Sequence, residues 1–240
     1  MNGENPRDLL AEKIAGEIVL SDDPGGTLRK WRTDFDASQT DLATQLDVSS
    51  SVVSDYESGR RQSPGIGVIR RMVEGLLTID DERGGDRIRQ FARVVSAGFE
   101  ETVVLDLREY TTPVPLVDVY DAIGATEVQA GTVDAINGHT VINSIEAITR
   151  LSSNDFYRLY GQSTERALVF TKVTRGESPL VAMRVASPKP NAVILHELDP
   201  ADLWEHAPAL ARIDGVSLAV TEEPLTDLLE AMRSLPNSKD

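Results

Sequence analysis

The sequence has no cysteine, only three histidines, and few aromatic side chains, 5% of 240 residues. Without cysteine it can form neither a disulfide framework nor a thiolate zinc site. His139, His196 and His206 are too widely separated along the chain to suggest a metal cluster. No apolar run approaches the ~18 to 20 residues needed to cross a bilayer, so no membrane span is expected. The first twenty residues lack the basic start, unbroken apolar stretch and small-residue cleavage site of a secretory signal. The chain is therefore expected to stay in the cytoplasm and to be held together by packing. Between residues 100 and 240 there is no P-loop, no GxGxxG after a strand, no GxSxG and no HExxH. Neither catalytic residues nor a metal or cofactor is expected.

Lysine is scarce too, five against nineteen arginines, and the net charge is -15. Such a balance suits a chain working in molar salt, where acidic surface preserves solubility and self-repulsion is screened within ~3 Å at ~1 M. The charge is unevenly spread. Residues 27 to 71 hold seven basic and six acidic side chains, a sum of +1, which leaves -16 for the remainder. One segment is thus relieved of acid.

Apolar residues at helical spacing place an amphipathic helix over 7 to 20, before the break at SDDPGG. Short helices are expected next: 25 to 35 around Leu28, Trp31 and Phe35, a second around Leu42, Ala43 and Leu46, and a third ending near Glu57. Ser38, with Asp41 three residues on, is a capping pair for the second, and Ser49 or Ser50 caps the third. Trp31 and Phe35 share their spacing with Leu28 and belong to the core, while Gly59 reads as a helix terminus with positive φ. A fourth helix is patterned over 65 to 80 by Ile66, Ile69, Val73, Leu76 and Leu77. The charged, glycine-rich DERGGD at 81 to 86 reads as a hinge before a connector helix. Beyond residue 100, strands are expected at 103 to 107, 192 to 195 and 216 to 220, with a hairpin of 167 to 173 and 180 to 185 about Arg-Gly-Glu-Ser. Helices are expected at 115 to 123, 140 to 151, 154 to 160, 201 to 213 and 225 to 235. The chain thus reads as multidomain: an all-α domain over 1–80, a hinge and connector helix over 81–99, and an α/β domain over 100–240.

From 38 to 64 the residues run SQTDLATQLDVSSSVVSDYESGRRQSP. A helix of two to three turns fits a DNA major groove when small polar residues line its outer face and apolar ones hold its inner face. Ser50, Ser51, Ser54 and Asp55 form such an outer face, and Val53 and Tyr56 the inner one. The run resembles the Cro/C1-type (XRE-like) helix-turn-helix family over about 50 of the 240 residues. The shared positions are Ser38-Gln39, Leu42-Ala43, Val48, Ser49, Val53 and Tyr56 to Arg60, with Leu28 to Arg32 matching the first helix. With its flanks it is similar to an archaeal, haloarchaeal-type subgroup of transcription regulators.

The resemblance implies a lambda-repressor-like N-terminal domain that binds a double-stranded DNA operator. Base contacts fall by position on Ser50, Ser51 and Asp55, and a phosphate anchor on Gln39 at a helix N-terminus. Thr40, Ser49 and Ser54 adjoin them, and Arg60 and Arg61 are placed to meet phosphates. Asp55 departs from expectation, because a carboxylate repels phosphate; facing Arg60 or Arg61 is its other assignment. The expected function is sequence-specific transcription regulation, with repressor action as the family's usual mode and a homodimer as the binding form. The C-terminal domain is expected to sense a small-molecule effector or to dimerise. The alternatives are a general transcription bridging factor, disfavoured by the missing zinc-binding cysteines, and an enzyme targeted by its helix-turn-helix.

Overall fold

The computed structural model describes residues 5–61, 64–161, 165–185 and 187–235. Residues 1–4 of the amino-terminal stretch, and Gln62 and Ser63 of the 38–64 motif, lie outside these. The chain divides into two compact units, Met1–Ala92 and Arg93–Asp240.

The first unit is helical throughout. Its helices are α1 (Pro6–Leu20), α2 (Pro24–Asp34), α3 (Gln39–Leu46), α4 (Ser50–Glu57) and α5 (Ile66–Glu82), and α6 (Asp86–Ser96) begins within it. Local chemistry sets most of the boundaries. Asn5 and Asp23 cap α1 and α2, each followed by a proline in the first turn, where a missing N–H costs nothing. Ser38 and Asp41 form a reciprocal capping box on α3. Asp80 accepts hydrogen bonds from Arg87 N (3.0 Å) and Ile88 N (2.9 Å), so the end of α5 supplies the cap for α6 across Gly84 and Gly85. Leu10, Ile14 and Ile18 of α1 meet Leu28, Trp31, Leu42, Leu46, Val53, Met72, Leu76 and Leu77 in one core. Each such buried aliphatic side chain stabilises by about 1.5–3 kcal/mol relative to exposure.

The second unit is a three-layer α/β fold on a six-stranded sheet of order β1-β3-β4-β5-β6-β2. Its strands are β1 (Val104–Pro115), β2 (Thr126–Gln129), β3 (Ala135–Asn143), β4 (Ala167–Thr171), β5 (Ala192–His196) and β6 (Ser217–Thr221). β3 to β6 run parallel, while the edge strands β1 and β2 are antiparallel to their neighbours. The central strands are buried on both faces, as parallel sheets require. Leu168, Phe170, Val193, Leu195, Leu218 and Val220 pack on one side, beneath α8 (Ser144–Arg150), α9 (Ser153–Gly161), α10 (Glu177–Val185) and α11 (Ala207–Asp214). Val169, Ile194 and Ala219 pack on the other, beneath α7 (Leu116–Ala122) and α12 (Leu225–Ser234). Crossovers of one hand between successive neighbouring strands put all their helices on one face, which is why α8 to α11 share a side.

Three expectations fail here, each for a physical reason. Residues 140–143 are the end of β3 and not the start of a helix, which begins only at Ser144. The strand's first half contains Asn137-Gly138, which reads as a turn, and Gly138 is needed because a Cβ there would lie 2.3 Å from the Arg108 carbonyl oxygen across β1. The expected second hairpin arm is α10: Leu180 and Met183 are buried three residues apart, a helical spacing, and Gly176 at φ +82° turns the chain into it. The helix expected over 201 to 213 begins at Ala207, with Pro208 in its first turn and a short 3-10 turn, Pro200–Asp202, before it. β2 has no counterpart in the sequence reading.

A buried polar chain joins β1, β3 and α12. The Tyr110 hydroxyl meets His139 Nδ1 at 2.7 Å, His139 Nε2 faces Asp106 Oδ2 at 3.5 Å, and Arg233 Nε donates to the same oxygen at 2.7 Å. Burial alone would raise the Asp106 carboxyl, yet the His139 hydrogen bond and the Arg233 guanidinium outweigh it and hold it well below the usual carboxylate range. Asp106→Asn removes the charge Arg233 faces, so we expect a loss of about 3–5 kcal/mol of stability near neutral pH. A carboxyl depressed in the folded state stabilises above its unfolded value of ~3.9 and ceases to do so as pH falls through its folded value. Denaturant unfolding of wild type and variant should therefore show a gap that is constant above about pH 4 and narrows progressively as pH falls below it; a gap widening on acidification contradicts the assignment.

Candidate nucleic-acid interface

The α3–α4 pair is joined by three residues, 47 to 49. Asp47 ends α3 in the left-handed region at φ +53°, which short polar side chains tolerate, and its N–H returns to the carbonyls of Ala43 and Thr44. Val48 N also bonds Ala43 O at 3.0 Å, closing the turn that sets the angle between the helices. Gly75 of α5 supports the pair from behind, with a Cβ position only 3.1 Å from Leu42 Cδ1.

The position of α4 is set by a charge clamp. Arg32 of α2 makes a forked contact with Glu57, Nε to Oε1 at 2.5 Å and Nη2 to Oε2 at 3.0 Å, while its Nη1 donates to Ala37 O at 2.6 Å. Gln39 of α3 adds a hydrogen bond from Nε2 to Glu57 Oε2 at 2.8 Å. The Glu57 side chain is 3% exposed and that of Arg32 13%, so three helices converge on a nearly dry ion pair. Gly25 completes the arrangement: a Cβ there would lie 2.4 Å from the Tyr56 carbonyl oxygen, so only glycine lets α2 approach α4 this closely.

The clamp leaves the amino-terminal part of the predicted outer face in solvent and the rest half-exposed. Ser49, Ser50 and Ser51 are exposed, Ser54 and Asp55 half-buried, and Val53 fully buried beneath them. Ser49 holds the N-cap position of α4 without capping it, since its hydroxyl is 2.8 Å from Ser51 Oγ. In the first turn of α4 the Val52 N–H bonds Ser49 O at 2.9 Å, while no side chain caps those of Ser50 and Ser51. Thr40 is exposed, whereas the Gln39 amide nitrogen is directed to Glu57. Asp55 accepts from Arg60 Nη1 at 3.1 Å, the second of the two arrangements anticipated for it, and Arg61 lies 5.4 Å from the Tyr56 ring centre. Both arginines are exposed. Sequence reasoning missed the roles of Arg32, Gly25, Asp47 and Glu57. The GG at 25–26 and an Asp at a helix end were local signals for two of them, but the Arg32–Glu57 pairing spans 25 positions. Among the described residues no group of three or more His, Cys, Asp or Glu side chains could hold a metal ion, and no helix is long and apolar enough to cross a membrane.

A solvent-facing helix presented across a three-residue turn by the helix before it, with cations at its exit, defines a helix-turn-helix DNA-binding protein. The Helix-turn-helix domain family matches residues 25–84. An HTH-type transcriptional regulator of Archaeoglobus fulgidus is 43% identical over 93% of this chain and 96% of its own length. A second, of Methanocaldococcus jannaschii, is 40% identical over 95% of each chain. The chain belongs to this family of HTH-type transcriptional regulators. No solved structure matches it.

Glu57→Ala strands the Arg32 guanidinium and the Gln39 amide, so we expect it to lower the stability of the helical unit by about 3–5 kcal/mol. Thermal unfolding followed by circular dichroism, with DNA affinity measured alongside, checks this. An unchanged transition would show that α4 is held by apolar packing alone.

Proposed function

We propose that this protein is a sequence-specific transcription regulator of the Cro/C1 type that reads a double-stranded DNA operator with the outer face of α4. The observation carrying the reading is the exposed, uncapped serine start of α4, held rigid by the Arg32–Glu57 pair and followed by Arg60 and Arg61. Ser50, Ser51 and Asp55 supply the base contacts, with Ser49 and Ser54 beside them. Gln39 and Thr40 at the start of α3, with Arg60 and Arg61, face phosphates. Because the Gln39 side chain is engaged by Glu57, its contact to a phosphate is through the α3 backbone N–H groups. Asp55 holds one arginine in place and tempers its charge.

One eight-residue helix reads too few base pairs for genome-wide selectivity, so the binding form is a homodimer with recognition helices about 34 Å apart on a near-palindromic site. In this reading neither unit carries catalysis, and the C-terminal unit responds to a small-molecule effector. Support for an effector comes from Asn143, Thr171, His196 and Thr221, all buried, which end the four parallel strands in one row. Ligands of α/β sheets gather at that edge. His196 Nε2 is 2.7 Å from Glu223 O, while its Nδ1 has no hydrogen-bond partner.

Ser50→Ala, Ser51→Ala and Asp55→Ala should alter which bases are preferred. Arg60→Ala and Arg61→Ala should weaken binding to all sequences alike and flatten the salt slope by about one unit per lost phosphate contact. Selection from a random DNA library, with titrations at several salt concentrations, separates the two classes; arginine variants of full affinity would show that this face is turned away from DNA.

The net charge of -15 and the excess of arginine over lysine support adaptation to molar salt, as in haloarchaea. Each neutralised phosphate costs ~0.9 in log affinity per unit of log salt. An interface of serines and backbone N–H groups should therefore give a shallow slope up to molar KCl, whereas a log-log slope near minus six would overturn the salt-adapted reading.

A further inference from the structure

We propose that a second copy of this chain docks on the outer face of α8 to α11, across the groove between α9 and α10. The proposal rests on the homodimer reading above and assigns it a surface. The groove, of about 360 Å³, is lined by Ser153, Phe156, Tyr157, Tyr160, Ala182 and Val185. Tyr157 is 62% exposed and Val185 77%, and Ile145, Ile148, Val181 and Ile213 stand out from the same four helices. On the opposite side of the sheet, α7 and α12 together expose one large apolar side chain, Val117. So one-sided an apolar surface marks a contact face.

Charge identifies the occupant. Each of α8, α9, α10 and α11 carries one acidic and one basic side chain, a sum of zero per helix, in a chain whose net charge is -15. α7 carries two acids, and α12 two acids against one base, so the other face sums to -3. Seven of the eight charges on these helices are paired within the chain, all but that of Arg212: Arg150 pairs with Glu146 at 2.6 Å, Arg158 with Asp155 at 2.7 Å, Glu177 with Arg175 at 3.3 Å, and Arg184 with Asp214. In a twofold contact residues near the axis meet their own copies, so an unpaired charge there would face itself. Two strongly acidic chains can approach only where the local charge is cancelled. A basic partner would instead favour the -3 face, and an anionic lipid surface would require clustered cations that these helices lack.

The experiment uses the full-length protein, with light scattering and sedimentation equilibrium in low and molar KCl. Wild type should have the mass of two chains. Val181→Asp combined with Val185→Asp, and independently Tyr157→Glu on α9, should raise the dimer dissociation constant by about 100-fold or more. All are exposed positions, so the far-ultraviolet dichroism should stay unchanged. Val117→Asp, on the opposite face, should remain dimeric. Since the chain has no cysteine, Val185→Cys introduces a single thiol that should cross-link two copies under mild oxidation, whereas Val117→Cys should not. A wild type that stays a single chain at all concentrations, with and without operator DNA, overturns the homodimer reading and this proposal with it. A dimeric wild type whose acidic α9 and α10 variants remain folded and dimeric leaves the homodimer standing and removes this face from it.

Discussion

The Arg32–Glu57 ion pair is the constraint on which the DNA-facing geometry depends. Two charges taken out of water are costly unless well paired, and here the remaining capacity is satisfied by the Ala37 carbonyl and the Gln39 amide. An apolar contact between α2 and α4 could slide or rotate with little loss. A forked arginine–carboxylate contact cannot, because its two hydrogen bonds fix direction as well as distance. The clamp thus converts the general cohesion of a helical core into one orientation of α4. Its location at the last residue of α4, beside Arg60, ties the fixed end of the helix to the cations that follow it.

The C-terminal unit achieves rigidity differently. Its central strands bury every residue of β4, β5 and β6, so sheet position is set by apolar packing on two faces and not by an ion pair. Two sets of its buried polar groups stand out: the Tyr110–His139–Asp106–Arg233 chain at the β1 edge, and the row at the carboxyl ends of the parallel strands. The first closes the edge strand onto the sheet and onto α12. The second lies where an α/β sheet presents side chains to a bound molecule.

Charge is distributed to match these roles. The segment holding α3 and α4 is close to neutral, the four helices on one sheet face are individually neutral, and the excess acid lies elsewhere. A net charge that would oppose contact with phosphate or with a like chain is thereby kept from the surfaces where those contacts are proposed.

The helix-turn-helix was legible residue by residue because its determinants are local: the Ser38–Asp41 box, the spacing of Leu28, Trp31 and Phe35, and positive φ at Gly59 all act within a few positions. The α/β class was legible too, since short apolar runs between helical patterns imply a covered sheet. β3 and α10 were misread because Thr140 to Asn143 and Leu180 to Val185 are compatible with either period, and partner strands decide between them. Of the candidate site, sequence alone determined which residues face outward on α4. The tertiary structure decided how that face is held and which neighbours temper it: Glu57 reaching Arg32, Gln39 turned inward to Glu57, and Asp55 paired with Arg60. Periodicity within one helix fixes a residue's face, whereas a contact across 25 positions exists only once packing has brought the two helices together.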